Sequence, residues 1–430
     1  MAVTTGWTQP PRAPSSAAAK DSIPALTGLR FFAALWVLLI HYRPLIDYPP
    51  IIRDVAEHGR LGVGLFFVLS GFVLTYNYYD WFQKDARKLP TFAYLRAARI
   101  LPMYFTALFV GTVITLQFWR LPIDHLGTPY PPSELPTHLY VVSWFANLGV
   151  VHGFVPLEVF HVWNGPSWSI SAEAFFYLLF PLAIARLCRF CRDFRRIAIA
   201  AFAFYLIEIT AFLLVVGVLL TAGLADIQRG VLQERVAYWS PFLRVWEFLI
   251  GCTMGILYLH FSATDASTTI RWLRRKTVTN GLAALVLAVI GLLVFGARGE
   301  GDLGVALGWL KWYVLFTPAF AALIMVLAIG PSFVATVLEQ RPIVLLGDAS
   351  YSLYMIHAIP LVVLLGLRAE GNPIPLWLSL AVMGGTVIVS VLCFRFIEAP
   401  ARRALRRKRW PRVVSDLWPA FMKRYGELRR

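Results

Sequence analysis

The stretch IPALTGLRFFAALWVLLIHY, residues 23–42, decides the fold class because it is an apolar run that holds one arginine and one histidine. Its length matches the roughly 20 residues that a helix needs to cross a bilayer. Arg30 and His41 are eleven helical steps apart, and steps of about 100° bring their side chains to within roughly 20° of one direction. Ionisable residues inside a membrane-spanning helix are costly and generally face a bundle interior or a wet cavity. The stretch therefore predicts a transmembrane helix that forms one wall of a functional site.

Apolar runs of this length recur along the whole chain. Hydrophobic residues make up 58% of the 430 residues, and the mean hydropathy is +0.64, which leaves no room for a sizeable water-soluble core. We predict an all-α polytopic membrane bundle of about ten transmembrane helices. The predicted spans are roughly 24–42, 60–79, 100–119, 167–186, 197–219, 241–260, 279–296, 309–329, 343–366 and 374–397.

The pattern predicts one membrane domain, residues 23–400, between two tails. Residues 1–22 are rich in proline, serine and alanine and are expected to form a disordered cytosolic tail, whereas residues 401–430 are expected to form a basic cytosolic tail. The segment 136–163 is aromatic, but three helix breakers interrupt it. We expect it to be interfacial or re-entrant, and not an eleventh span.

The distribution of positive charge predicts the orientation. The formal net charge is +16, and most lysines and arginines flank the spans on the side that becomes cytosolic if the N-terminus is inside. Both termini are then cytosolic, in a multi-pass protein of the plasma (inner) membrane. The basic residues suit anionic headgroups and form no folded nucleic-acid-binding domain. The four cysteines indicate neither a disulfide framework nor a metal site.

A second informative stretch, NGPSWSISAEAFFYLLFP at 164–181, begins a helix with three serines and one carboxylate. Ser167 and Ser171 are four residues apart, as are Ser169 and Glu173, so each pair shares a helix face. One interpretation is a capped helix whose glutamate satisfies an arginine. The other is that Glu173 lines a reaction cavity together with the serines.

Two further stretches carry candidate site residues. Arg96 and Arg99 lie at the inner end of the third span, either as positive-inside anchors or as a cradle for phosphates, because guanidinium groups bind anions through paired hydrogen bonds. In LGDASYSLYMIHAIP, residues 346–360, Tyr354 and His357 share a face. His357 is either a hydrogen-bonded structural residue or part of a substrate cavity.

Several of these stretches occur together in an order that resembles the acyltransferase 3 family. The resemblance covers about residues 22–402 and includes Arg30 with His41 ten intervening residues later, GRLGVGLFFVLSGFVL at 59–74, LRAARILPMY at 95–104, PSWSISAEAFFYLLFP at 166–181, FLRVWEFLIGCTMG at 242–255 and GDASYSLYMIH at 347–357. It implies a ten-helix membrane enzyme that moves an acyl group, usually acetyl, from cytosolic acyl-coenzyme A to a hydroxyl of a carbohydrate or other acceptor. It also implies that Arg30 and His41 are closely tied to activity.

The chemistry of such a transfer assigns a role to each candidate. A base must take the hydroxyl proton and a donor group must stabilise the oxyanion, and His41 and Arg30 suit these roles. Glu173 is expected to orient the base. Arg96, Arg99 and Arg30 are expected to hold acetyl-coenzyme A, which is a donor substrate and not a permanent cofactor; no metal is expected. We predict a continuous polar cavity from Arg96 and Arg99 past Arg30 to His41.

Two other classes of protein share some of these features. A secondary transporter or flippase would also bury charged residues in a ten-helix bundle, although the sequence shows no clear inverted repeat. A structural scaffold would use the same charges only to pair with one another. Acceptor-dependent release of thiol from acetyl-coenzyme A distinguishes the enzyme from both.

Overall fold

The computed structural model of the protein describes residues 22–84, 89–118, 136–221, 236, 238–263, 268–296 and 314–407. Every regular element in these ranges is helical, and none is a strand. The predicted all-α class is confirmed. Residues 1–21 of the predicted N-terminal tail and residues 408–430 of the predicted C-terminal tail lie outside the described residues.

Seventeen α-helices and four shorter turns make up the described structure. The helices, numbered in chain order, are α1 (Pro24–Tyr42), α2 (Pro50–Glu57), α3 (Leu61–Lys84), α4 (Leu89–Gln117), α5 (Thr137–Leu148), α6 (Trp168–Phe190), α7 (Phe194–Thr221), α8 (Pro241–Ala263), α9 (Thr268–Leu273), α10 (Lys276–Phe295), α11 (Phe316–Ile329), α12 (Phe333–Leu338), α13 (Arg341–Asp348), α14 (Ser350–Ile356), α15 (Ala358–Ala369), α16 (Leu376–Cys393) and α17 (Ala399–Arg407). Three 3₁₀ turns, His152–Phe154, Glu158–Phe160 and Gly165–Ser167, precede α6, and a π turn, Phe394–Glu398, follows α16.

Nine helices in the described ranges are long and apolar enough to cross a membrane. They are Pro24–Tyr42, Leu61–Phe82, Leu89–Gln117, Gly165–Phe190, Phe194–Val218, Pro241–Ala263, Lys276–Phe295, Ser350–Ala369 and Leu376–Leu405. The polytopic membrane bundle is therefore confirmed. The remaining predicted span, 309–329, corresponds to the shorter apolar helix α11, and the first five residues of that prediction lie outside the described residues.

Two predicted boundaries differ from the structure. The span predicted at 343–366 begins at Ser350, because residues 341–348 form the separate helix α13, which has Arg341 and Asp348 at its ends. The third span starts at Leu89, well before the predicted position 100, because Pro102 is accommodated inside one continuous helix. Apolar composition alone marks neither the break nor the extension.

The segment 136–163 contains the 12-residue helix α5 followed by short turns. A helix of this length is well short of the roughly 20 residues that cross a bilayer. The segment 136–163 therefore holds no helix long enough to be an eleventh span, and its interfacial or re-entrant position stays a prediction. The turns lead directly into α6.

Helices α3 and α8 pack backbone to backbone through glycines. A Cβ atom on Gly71 would lie 2.0 Å from the Phe248 carbonyl oxygen, and one on Gly251 would lie 2.0 Å from the Val68 carbonyl oxygen. Small residues allow this close approach of helices in a membrane. The glycines of the GxxxG pattern at 251–255 therefore serve packing.

The charged pair of α8 also belongs to this packing. Arg244 and Glu247 form an ion pair of 3.1 Å, and each side chain is 5% exposed. A Cβ atom on Gly64 of α3 would lie 3.0 Å from the Glu247 carboxylate. The pair neutralises its own charge at the contact between the two helices.

We expect Gly251→Ala to lower the thermal unfolding midpoint of the purified protein. The added methyl group would overlap the Val68 carbonyl oxygen, and forced overpacking costs about 1–3 kcal/mol. Gly281→Ala on α10 is the matched control, because nothing lies within 4 Å of a Cβ atom there. Equal midpoints for the two variants would contradict the glycine-mediated contact.

Candidate active site

A cavity of about 130 Å³ is lined by residues of five helices, α1, α3, α4, α6 and α14. Four charged side chains line it, together with several hydroxyl groups. The charged residues are Arg30, Arg96, Arg99 and Glu173, and the hydroxyl-bearing residues are Ser70, Ser169, Ser350, Tyr177, Tyr351 and Tyr354. The cavity therefore collects polar groups from distant parts of the chain.

Glu173 enters the cavity from α6 and accepts two hydrogen bonds. Tyr177, one turn further along the same helix, donates a short hydrogen bond to Oε1. The Ser70 hydroxyl on α3 donates to the same oxygen at 3.4 Å. These contacts fix the carboxylate where α3 meets α6, inside the cavity.

The two arginines of α4 have different surroundings. Arg96 donates to the Tyr78 hydroxyl at 2.8 Å and lies over the rings of Tyr78 and Tyr177. Arg99 forms an ion pair with Glu398 of the π turn, whose side chain is 1% exposed. The second carboxylate oxygen of Glu398 accepts from Ser352 at 2.8 Å. Arg99 therefore already has an anionic partner from the protein.

Arg30 is held differently from both α4 arginines. It lines the cavity from the first third of α1. Within the described residues it makes no direct hydrogen bond or ion pair, although Glu173 and Glu398 lie within electrostatic range, as does the like-charged Arg99. A guanidinium in this situation is available to an anionic or carbonyl oxygen of a ligand.

His41 and His357 do not line this cavity. Their ring centroids lie 4.8 Å apart at an interplanar angle of 74°. The Tyr354 ring lines the cavity and also lies 5.7 Å from the His357 ring, and its hydroxyl donates to the Pro166 carbonyl oxygen at 2.8 Å. The cavity therefore does not extend to His41 as predicted, and Tyr354 is the residue that lines the cavity and also contacts the histidine pair.

The hydrogen bond of His41 fixes its neutral tautomer. Its Nδ1 atom lies 2.7 Å from the Val37 carbonyl oxygen. A carbonyl oxygen only accepts, so Nδ1 carries the hydrogen and Nε2 holds the lone pair of the neutral ring. Nε2 is thus the atom of His41 that can accept a proton.

The three serines at the start of α6 separate into two groups. Ser169 lines the cavity and donates to the Tyr354 hydroxyl at 2.8 Å. Ser167 and Ser171 lie 3.0 and 3.1 Å from the two ring nitrogens of the fully buried His152. Ser167 and Ser171 therefore do not line this cavity and instead contact the loop before α6.

His152 is a neutral link in this loop. Burial lowers the pKa of His152 to about 3, and a hydrogen bond with Ser167 opposes the shift. Because Ser167 donates to the Asn164 carbonyl oxygen, the His152 Nε2–H group donates to Ser167 and the Ser171 hydroxyl donates to Nδ1. The linkage fixes the start of α6 and, with it, the position of Glu173.

The sequence prediction missed several residues of the cavity. Tyr177 follows Glu173 by four positions, a spacing that places both on one helix face and could have revealed it. Ser70 is a lone serine in an apolar span and carries no comparable signal. Glu398 lies just beyond the last predicted span, and its partner Arg99 is 299 positions away.

Fold and cavity together define a polytopic membrane protein with a cationic site between its helices that also contains one carboxylate. A family model described as an acyltransferase domain matches residues 23–395. The chain therefore belongs to the acyltransferase 3 family, and the resemblance drawn from its motifs is confirmed. The predicted class, a membrane O-acyltransferase, is confirmed with it.

Curated relatives match along most of the chain. Acyltransferase MdmB of Streptomyces mycarofaciens is 26% identical over 420 residues, which cover 92% of this chain and 95% of MdmB. O-acetyltransferase OatA of Staphylococcus aureus is 25% identical over 387 residues, covering 89% of this chain and 57% of OatA. This chain thus spans little more than half of the length of OatA. No solved structure matches it significantly.

Proposed function

We propose that the protein transfers an acetyl group from cytosolic acetyl-coenzyme A to a hydroxyl of a carbohydrate or glycan acceptor. The observation that carries this proposal is the cavity in which Arg30, Arg96, Arg99 and Glu173 meet within the membrane domain. A site with three guanidinium groups suits a donor that carries phosphates. The names of MdmB and OatA, an acyltransferase and an O-acetyltransferase, support the chemistry.

The arginines are proposed to act at different parts of the donor. Arg96 and Arg99 lie in the first half of the third span, Leu89–Gln117, on the side that the charge pattern assigns to the cytosol and from which nucleotide phosphates arrive. Arg30 has no direct protein partner among the described residues and is proposed to bind the pantetheine or the thioester carbonyl oxygen. Donors of this size need more room than about 130 Å³, since pockets for such ligands hold roughly 300–1,000 Å³. Binding therefore requires the cavity to widen.

His41 is proposed to be the general base. The lone pair of its Nε2 atom follows from the Nδ1 contact with Val37 and allows it to take the acceptor proton. Movement of the Tyr354 ring would open a path from the cavity to the two histidines. Both termini are proposed to be cytosolic, which places His41 near the outer surface and lets the acceptor approach from outside.

The proposal is tested by incubating the purified full chain with acetyl-coenzyme A and fractionated surface carbohydrate from the host. We expect free thiol to be released only when the acceptor is present, together with ester-linked acetyl groups on the acceptor. Acceptor uptake into proteoliposomes without thiol release would instead identify a transporter and overturn the proposed function.

Glu173→Gln is expected to lower kcat by roughly tenfold, a smaller effect than loss of the base. The amide still accepts from Tyr177 and Ser70, but hydrogen bonds to a charged group are worth about 1 kcal/mol more than neutral ones. Steady-state kinetics measures the change, and Glu339→Gln, at an exposed position after α12, is the control. A kcat equal to that of the wild type would exclude Glu173 from the reaction.

A further inference from the structure

His357 lies in direct contact with the candidate base. The ring centroids of His41 and His357 are 4.8 Å apart, which is at the short end of the distances found between interacting aromatic rings. His357 is 1% exposed, whereas His41 is half-buried. The two rings come from α1 and from the junction of α14 with α15, so the contact forms only in the folded bundle.

Both histidines are held in the same tautomer. The Nδ1 atom of His357 lies 2.7 Å from the Tyr354 carbonyl oxygen, as that of His41 does from the Val37 carbonyl oxygen. Each Nδ1 therefore carries a hydrogen, and each neutral ring has its lone pair on Nε2. Two basic nitrogens thus occupy one small region next to the cavity residue Tyr354.

From this geometry we propose that His357 is a positioning residue that shares one proton with His41 during acyl transfer. This inference rests on the proposed function. The acceptor oxygen forms a bond to the acyl carbon while its proton moves to His41 Nε2. The carbon–sulfur bond then breaks, and the proton passes to the thiolate to give free coenzyme A. In between, neutral His357 stabilises the imidazolium of His41.

His41 and His357 can together bind only one proton beyond their neutral forms. A second proton would place two positive rings in contact in a medium of low dielectric constant, where like charges repel strongly. The neighbouring elements bring other titratable or charged groups to this end of α1. They are Arg43 with its ion-pair partner Glu57, Tyr42, Tyr48, Tyr354 and Arg368, which donates to the Pro44 carbonyl oxygen.

The proposal is tested by modifying His41 with diethyl pyrocarbonate, which reacts with the unprotonated ring, and quantifying the modified peptide by mass spectrometry. The full chain is compared with His357→Phe and His357→Gln at about pH 6 and pH 8. We expect His41 to react about threefold faster in both variants at the lower pH, because it is protonated less often. Rates at the higher pH correct for access of the reagent.

Turnover supplies the second measurement. We expect His357→Gln to lower kcat by roughly tenfold with an unchanged KM for the donor, because only the protonated intermediate is affected. His260→Gln is the matched control, since His260 is also buried and its Nδ1 lies 3.0 Å from a carbonyl oxygen one turn earlier on α8. Neither measurement should change in that variant.

The possible failures are distinguishable. The deciding quantity is the rate of His41 modification at the lower pH divided by the rate at the higher pH. If this ratio is the same in the wild type and in both His357 variants, proton sharing is overturned, even if the wild type transfers acetyl groups. A wild type that releases no thiol with any acceptor, yet shows the expected modification pattern, would support the shared proton and overturn the proposed acyl transfer.

Discussion

His41→Ala is expected to reduce acyl transfer by about 10²–10⁴-fold, the usual contribution of a general base. The substitution removes the only atom of this residue that can take the acceptor proton, Nε2, while it leaves the α1 backbone intact. The fold should survive because His41 is half-buried at the end of its helix. The measurement is the rate of thiol release at saturating donor and acceptor.

The control for this prediction is His138→Ala, which removes an exposed imidazole on α5. Both variants should elute as the wild type does and unfold at similar temperatures. Turnover of His41→Ala close to that of His138→Ala would exclude His41 as the base and would leave Glu173 inside the cavity as the next candidate.

The sequence predicts this fold well wherever the length and apolar composition of a segment determine the ends of a helix. The span of α1 agrees with its prediction at both ends, because Pro24 suits the first position of a helix and the charged Arg43 follows the last one. The break between α13 and α14 was missed because residues 343–366 read as one apolar run. Next to this break α13 packs closely against α1, since a Cβ atom on Gly347 would lie 2.0 Å from the Thr27 carbonyl oxygen, and no local pattern signals such a contact.

Charged residues inside apolar runs mark the residues of the cavity in the sequence. Arg30, Arg96, Arg99 and Glu173 each attract attention because a charge near the bilayer is costly, and the structure brings all four together. Their partners could not be predicted in this way. The contact of His41 with His357, and that of Arg99 with Glu398, join residues some 300 positions apart, and no local pattern encodes such a pairing.

Arg99→Ala is expected to give a much lower yield of folded protein than the wild type. An interpretation of Arg99 as a simple phosphate contact predicts a higher donor KM and little else. The structure shows that its guanidinium neutralises Glu398, whose side chain is 1% exposed, while that of Arg99 is 13% exposed. Removing one partner of a buried pair leaves an uncompensated charge and costs about 3–5 kcal/mol. The yield of monodisperse protein and the unfolding midpoint measure this loss.

Arg99→Ala combined with Glu398→Gln separates stability from donor binding. The amide removes the stranded charge and keeps its contact with Ser352, so the double variant should recover most of the folded yield. Its donor KM should then rise while kcat stays nearly constant, because ground-state contacts to phosphate are lost. Arg196→Ala breaks an exposed ion pair with Asp193 and should cost less than about 1 kcal/mol. If the double variant were no more stable than Arg99→Ala, the buried pair could not be the source of the loss.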